Sequence, residues 1–457
     1  MEPFDPILIN QPLSPSAQSR LEHILRIDRY RFYANRLPRL RKQLLHFLDE
    51  ISAYHDLTGF WPDLQFIYSS QRTCQYRKIR GEEVILIDEG MVELVLGFHT
   101  CRLKPAHPVA CLSLGNLVVA ELLATSNQWG MAYFLTQRLQ QLLQEKIDQN
   151  GDFWPSFRWS LYPHNPLYGP FVAFMTGHEL AHALGHRPDI RFEEIRAALK
   201  SLTFKNVFRL TDPDIGIKDE APKDAPERSQ QFKEELLCDL FGYRLAVWFA
   251  IWDGQIEDDR DYLSLSLNLM HTIAWAGMIE MARRIVQEAL WDPTFGKRRR
   301  IRIPRLSARL MVLSSIITQA AELIFPVDEA YMGSMVTGRF STEQKAFFNQ
   351  EMKKLNNTVT FLLSKAHFPK AFGQKLWDNE AFAEALFSVP DLTSGSLPEQ
   401  GPDPYQFMLA YGLSNSYYNL VEWRHQEQVR QLVEAKIQTL GRDQLYTFFR
   451  RPLYMVM

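Results

Sequence analysis

Residues 178–182 of this 457-residue chain read His-Glu-Leu-Ala-His, a spacing that can hold a metal ion. On a helix, His178 and His182 lie on one face, one turn apart, close enough to share a tetrahedral zinc ion. Glu179 would then lie beside the metal, where it can take a proton from a zinc-bound water. Because the pentapeptide alone is only moderately specific, the prediction of a zinc site also needs a third ligand and a suitable scaffold.

The residues around the motif predict a buried helix. An apolar run at 171–175 leads into the motif, and the helix is expected to begin near Gly169 and to end at Gly185 or His186. Pro188 stops it, because the residue before a proline disfavours the helical conformation. Buried polar groups without partners are costly, and a bound metal would supply partners for the histidines.

The third ligand could come from the same helix or from a second one. In metzincins a further histidine follows the motif by six residues, and Pro188 occupies that position here. His186 follows His182 by four residues, but ligands at i, i+4 and i+8 would span about 12 Å along a straight helix. His186 is therefore interpreted as a residue that supports the site or ends the helix.

Residues 231–245 predict a second amphipathic helix with two acidic residues on one face, Glu235 and Asp239. Thermolysin-like gluzincins have a Glu-x-x-x-Asp pair with this spacing, and the resemblance implies the role of each residue. Glu235 would be the third zinc ligand. Asp239 would hold the non-ligating nitrogen of a zinc histidine and fix its tautomer. Glu234 competes less well as a ligand, because the residue four positions after it is Cys238.

These elements together resemble the zinc peptidase family that contains the CAAX prenyl proteases and bacterial membrane quality-control proteases. The stretch at 178–186 (HELAHALGH) is similar to the prenyl-protease form of the metal helix, and the stretches at 64–69 and 81–90 resemble the family's strands. The stretch at 303–309 is similar to its last element, with isoleucine in place of histidine and Arg309 in the place of the arginine. Soluble bacterial zincins, such as the Lit phage-exclusion protease, share the same metal-binding pattern.

The resemblance implies a zinc-dependent metalloendopeptidase that hydrolyses peptide bonds of a protein substrate. Zn2+ held by the two motif histidines and Glu235 would keep one position for water, and Glu179 would act as the general base. The tetrahedral intermediate needs a further donor. His271 is the first candidate for this donor, and Tyr243 and Arg309 are the alternatives.

The composition is that of an ordered globular protein without a strong electrostatic bias. The chain is 46% hydrophobic and 12% aromatic, with a net charge of −2, so nucleic acid is not expected as a partner. A protein or peptide substrate is what the peptidase resemblance implies. No secretory signal and no apolar stretch long enough to span a membrane is found. Four cysteines without a Cys-x-x-Cys pair indicate reduced thiols, as in a cytoplasmic protein.

The patterning predicts a mainly α (α+β) fold, with a zincin core of a small β-sheet and two metal-binding helices, plus accessory helical regions. Strand signals concentrate in residues 62–88. Residues 1–60 are expected to form an N-terminal helical region, 61–325 the metallopeptidase core and 326–457 a C-terminal helical accessory region. The proline-rich, charged segment 211–230 lies between the two metal-binding helices and is predicted to be a gating loop.

Two alternatives to an active peptidase remain open. In the first, the protein is a catalytically inactive zincin whose metal only joins two helices while the accessory regions bind partners. In the second, the motif is accidental and the chain is a zinc-free helical interaction protein. Metal content distinguishes the zinc-free interaction protein from the two zinc-binding hypotheses. Cleavage activity distinguishes the inactive zincin from the active peptidase.

Overall fold

The structure is a computed structural model. It describes residues 7–8, 14–17, 19–20, 37–54, 62–68, 74–103, 117, 119–121, 123–124, 128–150, 165–184, 230–291, 302–319, 324, 336–365, 426–441, 444–445 and 448. The predicted gating loop at 211–230 lies outside the described residues except for Gln230, and Gly185, His186 and Pro188 lie outside them as well.

A four-stranded sheet has the strand order β1-β2-β4-β3. Its strands are β1 (Ile7–Leu8), β2 (Asp63–Tyr68), β3 (Gln75–Ile79) and β4 (Glu82–Asp88). Strands β2 and β4 are parallel, whereas β1 pairs antiparallel with β2 and β3 pairs antiparallel with β4. Within the described residues, β3 therefore forms one edge of the sheet.

A two-residue turn at Arg80 and Gly81 joins β3 to β4. Both residues have positive φ, 51° and 91°, as a two-residue hairpin turn requires if it is to match the twist of its strands. The turn fixes the register in which Ile79 lies opposite Glu82. Strand β4 ends at Asp88, and a helix begins at the next residue, Glu89.

Helices dominate the described residues, so the predicted mainly α class is confirmed. They are α1 (Leu37–Tyr54), α2 (Glu89–Leu103), α3 (Trp129–Asn150), α4 (Tyr168–Leu184), α5 (Gln230–Trp252), α6 (Asp259–Trp291), α7 (Arg302–Gln319), α8 (Thr342–Lys365) and α9 (Glu427–Gln438). The two helices predicted to carry the metal ligands correspond to α4 and α5. Among the helices in the described residues, none is both long enough and apolar enough to cross a bilayer.

The chain divides into two compact units. The first comprises Met1–Val92, Pro163–Ala274 and Arg298–Asn357, and the second comprises Glu93–Tyr162, Trp275–Lys297 and Thr358–Met457. In the first unit, Phe47 of α1 packs edge-on against Phe249 of α5, and both side chains are fully buried. In the second unit, Tyr133 of α3 stacks on Phe448. The domain limits predicted from the sequence stay predictions.

Candidate metal centre

Helices α4 and α5 pack antiparallel and very close together because glycines lie at their contacts. A Cβ on Gly169 would come within 2.6 Å of the Phe249 ring, and one on Gly177 would come within 2.9 Å of the Gly242 Cα. Residue numbers at the contacts thus rise along α4 while they fall along α5, as expected for antiparallel helices. Larger residues at these positions would hold the axes apart. The last turns of α4 consequently meet the first turns of α5.

The two motif histidines face a single carboxylate across this helix pair. His178 Nε2 lies 3.6 Å from one oxygen of Glu235, and His182 Nε2 lies 4.0 Å from the other. With zinc–ligand bonds of about 2.0–2.1 Å, neighbouring ligand atoms of a tetrahedral site lie about 3.4 Å apart. The two separations of Glu235 from the histidines, 3.6 and 4.0 Å, are thus close to the spacing of ligand atoms round a zinc ion. Glu234, the competing glutamate, is exposed.

Asp239 and Arg309 support this arrangement from behind. Asp239 Oδ1 accepts a hydrogen bond from His178 Nδ1 at 3.0 Å, which leaves Nε2 to face Glu235. Arg309 on α7 donates from Nε and Nη2 to the two oxygens of Asp239, each at 2.6 Å. Its Nη1 lies 3.2 Å from Glu235 Oε2. One guanidinium therefore holds the predicted ligand and the predicted partner of the histidine together.

Burial and charge shift the pKa values of the site in ways that favour metal binding by His182. Burial opposes the ionisation of Asp239, but Arg309 and the hydrogen bond from His178 hold its pKa at about 2, below the ordinary 3.8. Burial also opposes protonation of His178, but Asp239 outweighs it and raises the His178 pKa. Burial and the charge of His178 lower the pKa of His182. The lowered pKa favours the neutral form of His182, which is the form that binds a metal. The raised pKa of His178 means that, at a pH below it, a metal must displace a proton from His178 in order to bind.

Cys238 is a second candidate for the third protein donor. Its sulfur lies 3.5 Å from His182 Nδ1, and ligand atoms of His178, His182 and Cys238 all lie within 4.8 Å of one another. Burial, together with the charges of Glu235 and Asp239, raises the pKa of the thiol well above its ordinary 9.0. Glu235 faces the Nε2 atoms of both histidines, whereas Cys238 faces Nδ1 of His182. Glu235 and Cys238 are therefore both candidates for the third protein donor, approaching His182 from its two different nitrogens.

Glu179 lies on α4 and reaches the edge of the sheet. Its Oε2 accepts a hydrogen bond from the backbone N–H of Tyr76 at 2.6 Å, and its charge contributes to the raised pKa of His178. Since the Tyr76 N–H donates to Glu179, it does not donate to β4 and points away from the sheet. The peptide group of Lys78, two residues on, points the same way. The predicted general base thus adjoins both a ligand and the outer edge of β3.

The candidate transition-state donors lie in different environments. The hydroxyl of Tyr243 is fully buried and donates to Ser266 Oγ on α6 at 2.6 Å. His271 is buried on α6, five residues after Ser266, which is about 140° around the helix from that contact with α5. Arg309 is bound to the two acids of α5. The role of His271 as a donor stays a prediction.

Three features of the site were missed from the sequence. Gly177 directly precedes the motif and Gly242 follows Asp239 by three residues, and glycines inside apolar helices do indicate close packing. Cys238 was noted only as a reason against Glu234, although it shares a helical face with Glu235 at i, i+3. The Tyr76 N–H has no signal at all, because every residue except proline carries one.

No family model, no curated protein and no solved structure matches this chain. The interpretation of the site therefore depends on its residues and their geometry.

Proposed function

We propose that this protein is a zinc-dependent metalloendopeptidase of the gluzincin type, acting on a protein or peptide substrate. The observation that carries the proposal is the convergence of donors from α4 and α5. His178 Nε2 and His182 Nε2 face the two oxygens of Glu235 at 3.6 and 4.0 Å. Asp239 holds the other nitrogen of His178, the role that the resemblance to gluzincins implies for it.

A zinc ion bound by His178, His182 and Glu235 would supply Lewis acidity, which activates a water molecule and polarises the carbonyl of a peptide bond. Glu179 takes the proton from the attacking water and passes it to the leaving nitrogen. Its hydrogen bond from the Tyr76 N–H orients the carboxylate for this task. Because Glu179 is only 7% exposed, bulk water competes little for its oxygens.

Asp239 and Arg309 keep the histidine and the glutamate in place during this reaction. The hydrogen bond to Asp239 fixes the tautomer of His178, so that the Nε2 lone pair stays directed towards Glu235. Arg309 balances the charge of two neighbouring carboxylates, Glu235 and Asp239. Without this cation the two acids of α5 would repel each other across one helical turn.

The edge strand β3 supports an extended peptide as the substrate. The peptide groups of Tyr76 and Lys78 face away from β4 at one edge of the described sheet, and an extended chain can add to a sheet edge through backbone hydrogen bonds. Glu179 lies at this edge. A peptide that pairs with β3 would therefore pass directly beside the general base.

The test is the metal content of the purified protein, measured by elemental mass spectrometry without added metal. We expect one zinc per wild-type chain, and a large loss in both His182→Ala and Glu235→Ala. Zinc absent from the wild type, or unaffected by both substitutions, would overturn the proposal. If zinc is present, Glu179→Gln should retain it and trap substrates that the wild type cleaves. Zinc without any cleavage would favour the alternative, a catalytically inactive zincin that binds partners.

A further inference from the structure

The sulfur of Cys238 has no role in the proposed mechanism, yet its distance from a nitrogen of His182 is that of two ligand atoms bound to one metal ion. Its separation from His182 Nδ1 is 3.5 Å. In a tetrahedral zinc site with a Zn–S bond of about 2.3 Å and a Zn–N bond of about 2.0–2.1 Å, the nitrogen and sulfur lie about 3.5 Å apart. The pair could therefore bind one ion without a change in separation.

Each of the two imidazole nitrogens of His182 faces a different side chain that could bind a metal ion. Nδ1 faces Cys238, and Nε2 faces Glu235 at 4.0 Å. Glu235 and Cys238 are three residues apart on α5, so both project from one face of the helix. The second oxygen of Glu235 remains close to His178, 3.6 Å from its Nε2. Ligand atoms of His178, His182 and Cys238 all lie within 4.8 Å of one another, and Glu235 adjoins both imidazoles.

We propose that Cys238 is a further ligand of this centre and occupies the fourth position as a thiolate when a thiophilic cation such as Zn2+ binds. In this closed form the donors are His178 Nε2, His182 Nδ1, Glu235 Oε2 and Cys238 Sγ. Soft thiolate ligands favour zinc over hard cations such as Mg2+. The inference rests on the proposed function, because it concerns the same centre.

The consequence is a latent state of the enzyme. Zinc sites with four protein ligands are structural, whereas catalytic sites keep one position for water. When the metal binds, the Cys238 thiol releases its proton to solvent and the sulfur forms the fourth bond. When water replaces the sulfur, the thiolate recovers a proton, and His182 binds through Nε2. No oxidant or reductant takes part in this exchange.

Cobalt(II) substitution tests the sulfur–metal bond without any substrate. Co2+ occupies zinc sites and is coloured, so tetrahedral ligation gives strong visible bands and a thiolate ligand adds a near-ultraviolet charge-transfer band. The full-length protein, freed of metal, is titrated with Co2+ as wild type and as Cys238→Ala, Cys74→Ala and His182→Ala. Cys74 is the matched control, because it is a free cysteine of the same compact unit outside the cluster of ligand atoms.

We expect the charge-transfer band in the wild type and in Cys74→Ala, and its loss in Cys238→Ala, with Co2+ affinity reduced on the order of tenfold or more. Visible bands without the charge-transfer band would overturn the inference and leave the proposed function intact, with Cys238 merely a hydrogen-bond partner of His182. Failure of the wild type to bind Co2+, or binding unaffected by His182→Ala, would overturn both.

Proton release gives a second readout that a purely structural role would not change. Calorimetric titration in buffers of different ionisation enthalpy should show one proton more released per Co2+ by the wild type than by Cys238→Ala. Equal proton release would contradict thiolate formation. If Cys238→Ala does not fold, as judged by circular dichroism, Cys238→Ser replaces it, and the wild-type spectrum by itself still decides whether sulfur binds the metal.

Discussion

The closeness of α4 and α5 at Gly242 predicts that a single methyl group there will weaken metal binding. In Gly242→Ala the new Cβ would lie 2.6 Å from the carbonyl oxygen of Phe174 and 3.0 Å from the amide nitrogen of His178. Both are backbone atoms of α4, and in an α-helix they belong to one i→i+4 hydrogen bond. Neither atom can rotate away, so the helices themselves must separate.

The size of the effect follows from these distances. Because Cβ atoms are essentially never found within 3.0 Å of such atoms, the axes must part by about 0.4 Å at this point. Overpacking of this kind costs about 1–3 kcal/mol in the free energy of unfolding. The same movement would lengthen the separation of His178 Nε2 from Glu235, already 3.6 Å, away from the tetrahedral value of about 3.4 Å. We therefore expect a loss of zinc affinity on the order of tenfold.

Two measurements check this expectation. Urea denaturation gives the free energy of unfolding, and competition with a chromophoric chelator gives the zinc affinity. Gly441→Ala is the matched control, because a Cβ there meets nothing within 4 Å. If Gly242→Ala binds zinc as tightly as the wild type and unfolds within about 0.5 kcal/mol of it, the close packing does not position the ligands and the reasoning is wrong.

Three further predictions concern the groups around the ligands. Arg309→Ala should destabilise the metal-free protein by about 3 kcal/mol, because the buried carboxylate of Asp239 loses its guanidinium partner and keeps only His178. Added zinc should restore part of this loss in thermal denaturation. Since the Asp239 pKa is lowered to about 2 in the fold, its stabilisation is complete above its ordinary pKa of 3.8 and is lost as the pH falls through about 2. The stabilisation amounts to about 2 kcal/mol in the free energy of unfolding. In Asp239→Asn, this pH-dependent part should be missing when the free energy of unfolding in urea is measured against pH. Tyr76→Pro removes the N–H that orients Glu179, and proline is tolerated at a strand edge where this N–H faces away from the sheet. Substrate cleavage should therefore fall about tenfold, which corresponds to one hydrogen bond of about 1.4 kcal/mol. Equal cleavage rates in Tyr76→Pro and Tyr76→Ala would contradict an orienting role.

Local patterns were enough to predict the elements of the site. The helix predicted from Gly169 is observed as Tyr168–Leu184, and the strand predicted at 64–69 is observed as Asp63–Tyr68. Helical periodicity placed His178 and His182 on one face, because a four-residue spacing repeats the same direction whatever the surroundings. The same argument brought Glu235 and Asp239 to one face of α5.

Contacts between elements could not be predicted from such patterns. Arg309 lies 70 residues from Asp239 in sequence, and only the packing of α7 against α5 made it the partner of two acids. Tyr243 was an equal candidate by residue type, but its hydroxyl bonds to Ser266 inside the protein. Side-chain type predicts what a group can do, whereas the direction in which it points depends on neighbours from distant parts of the chain.

The sequence by itself determined the donor types and their spacing within each helix, because these depend only on the covalent order and on 3.6 residues per helical turn. The tertiary structure alone decided that α4 and α5 cross at Gly177 and Gly242, which brings His178 within reach of Glu235. It also brought the edge strand β3 to Glu179 and Cys238 to His182. Close packing joins residues that no local period relates, so the full set of candidate donors is visible only in the tertiary structure.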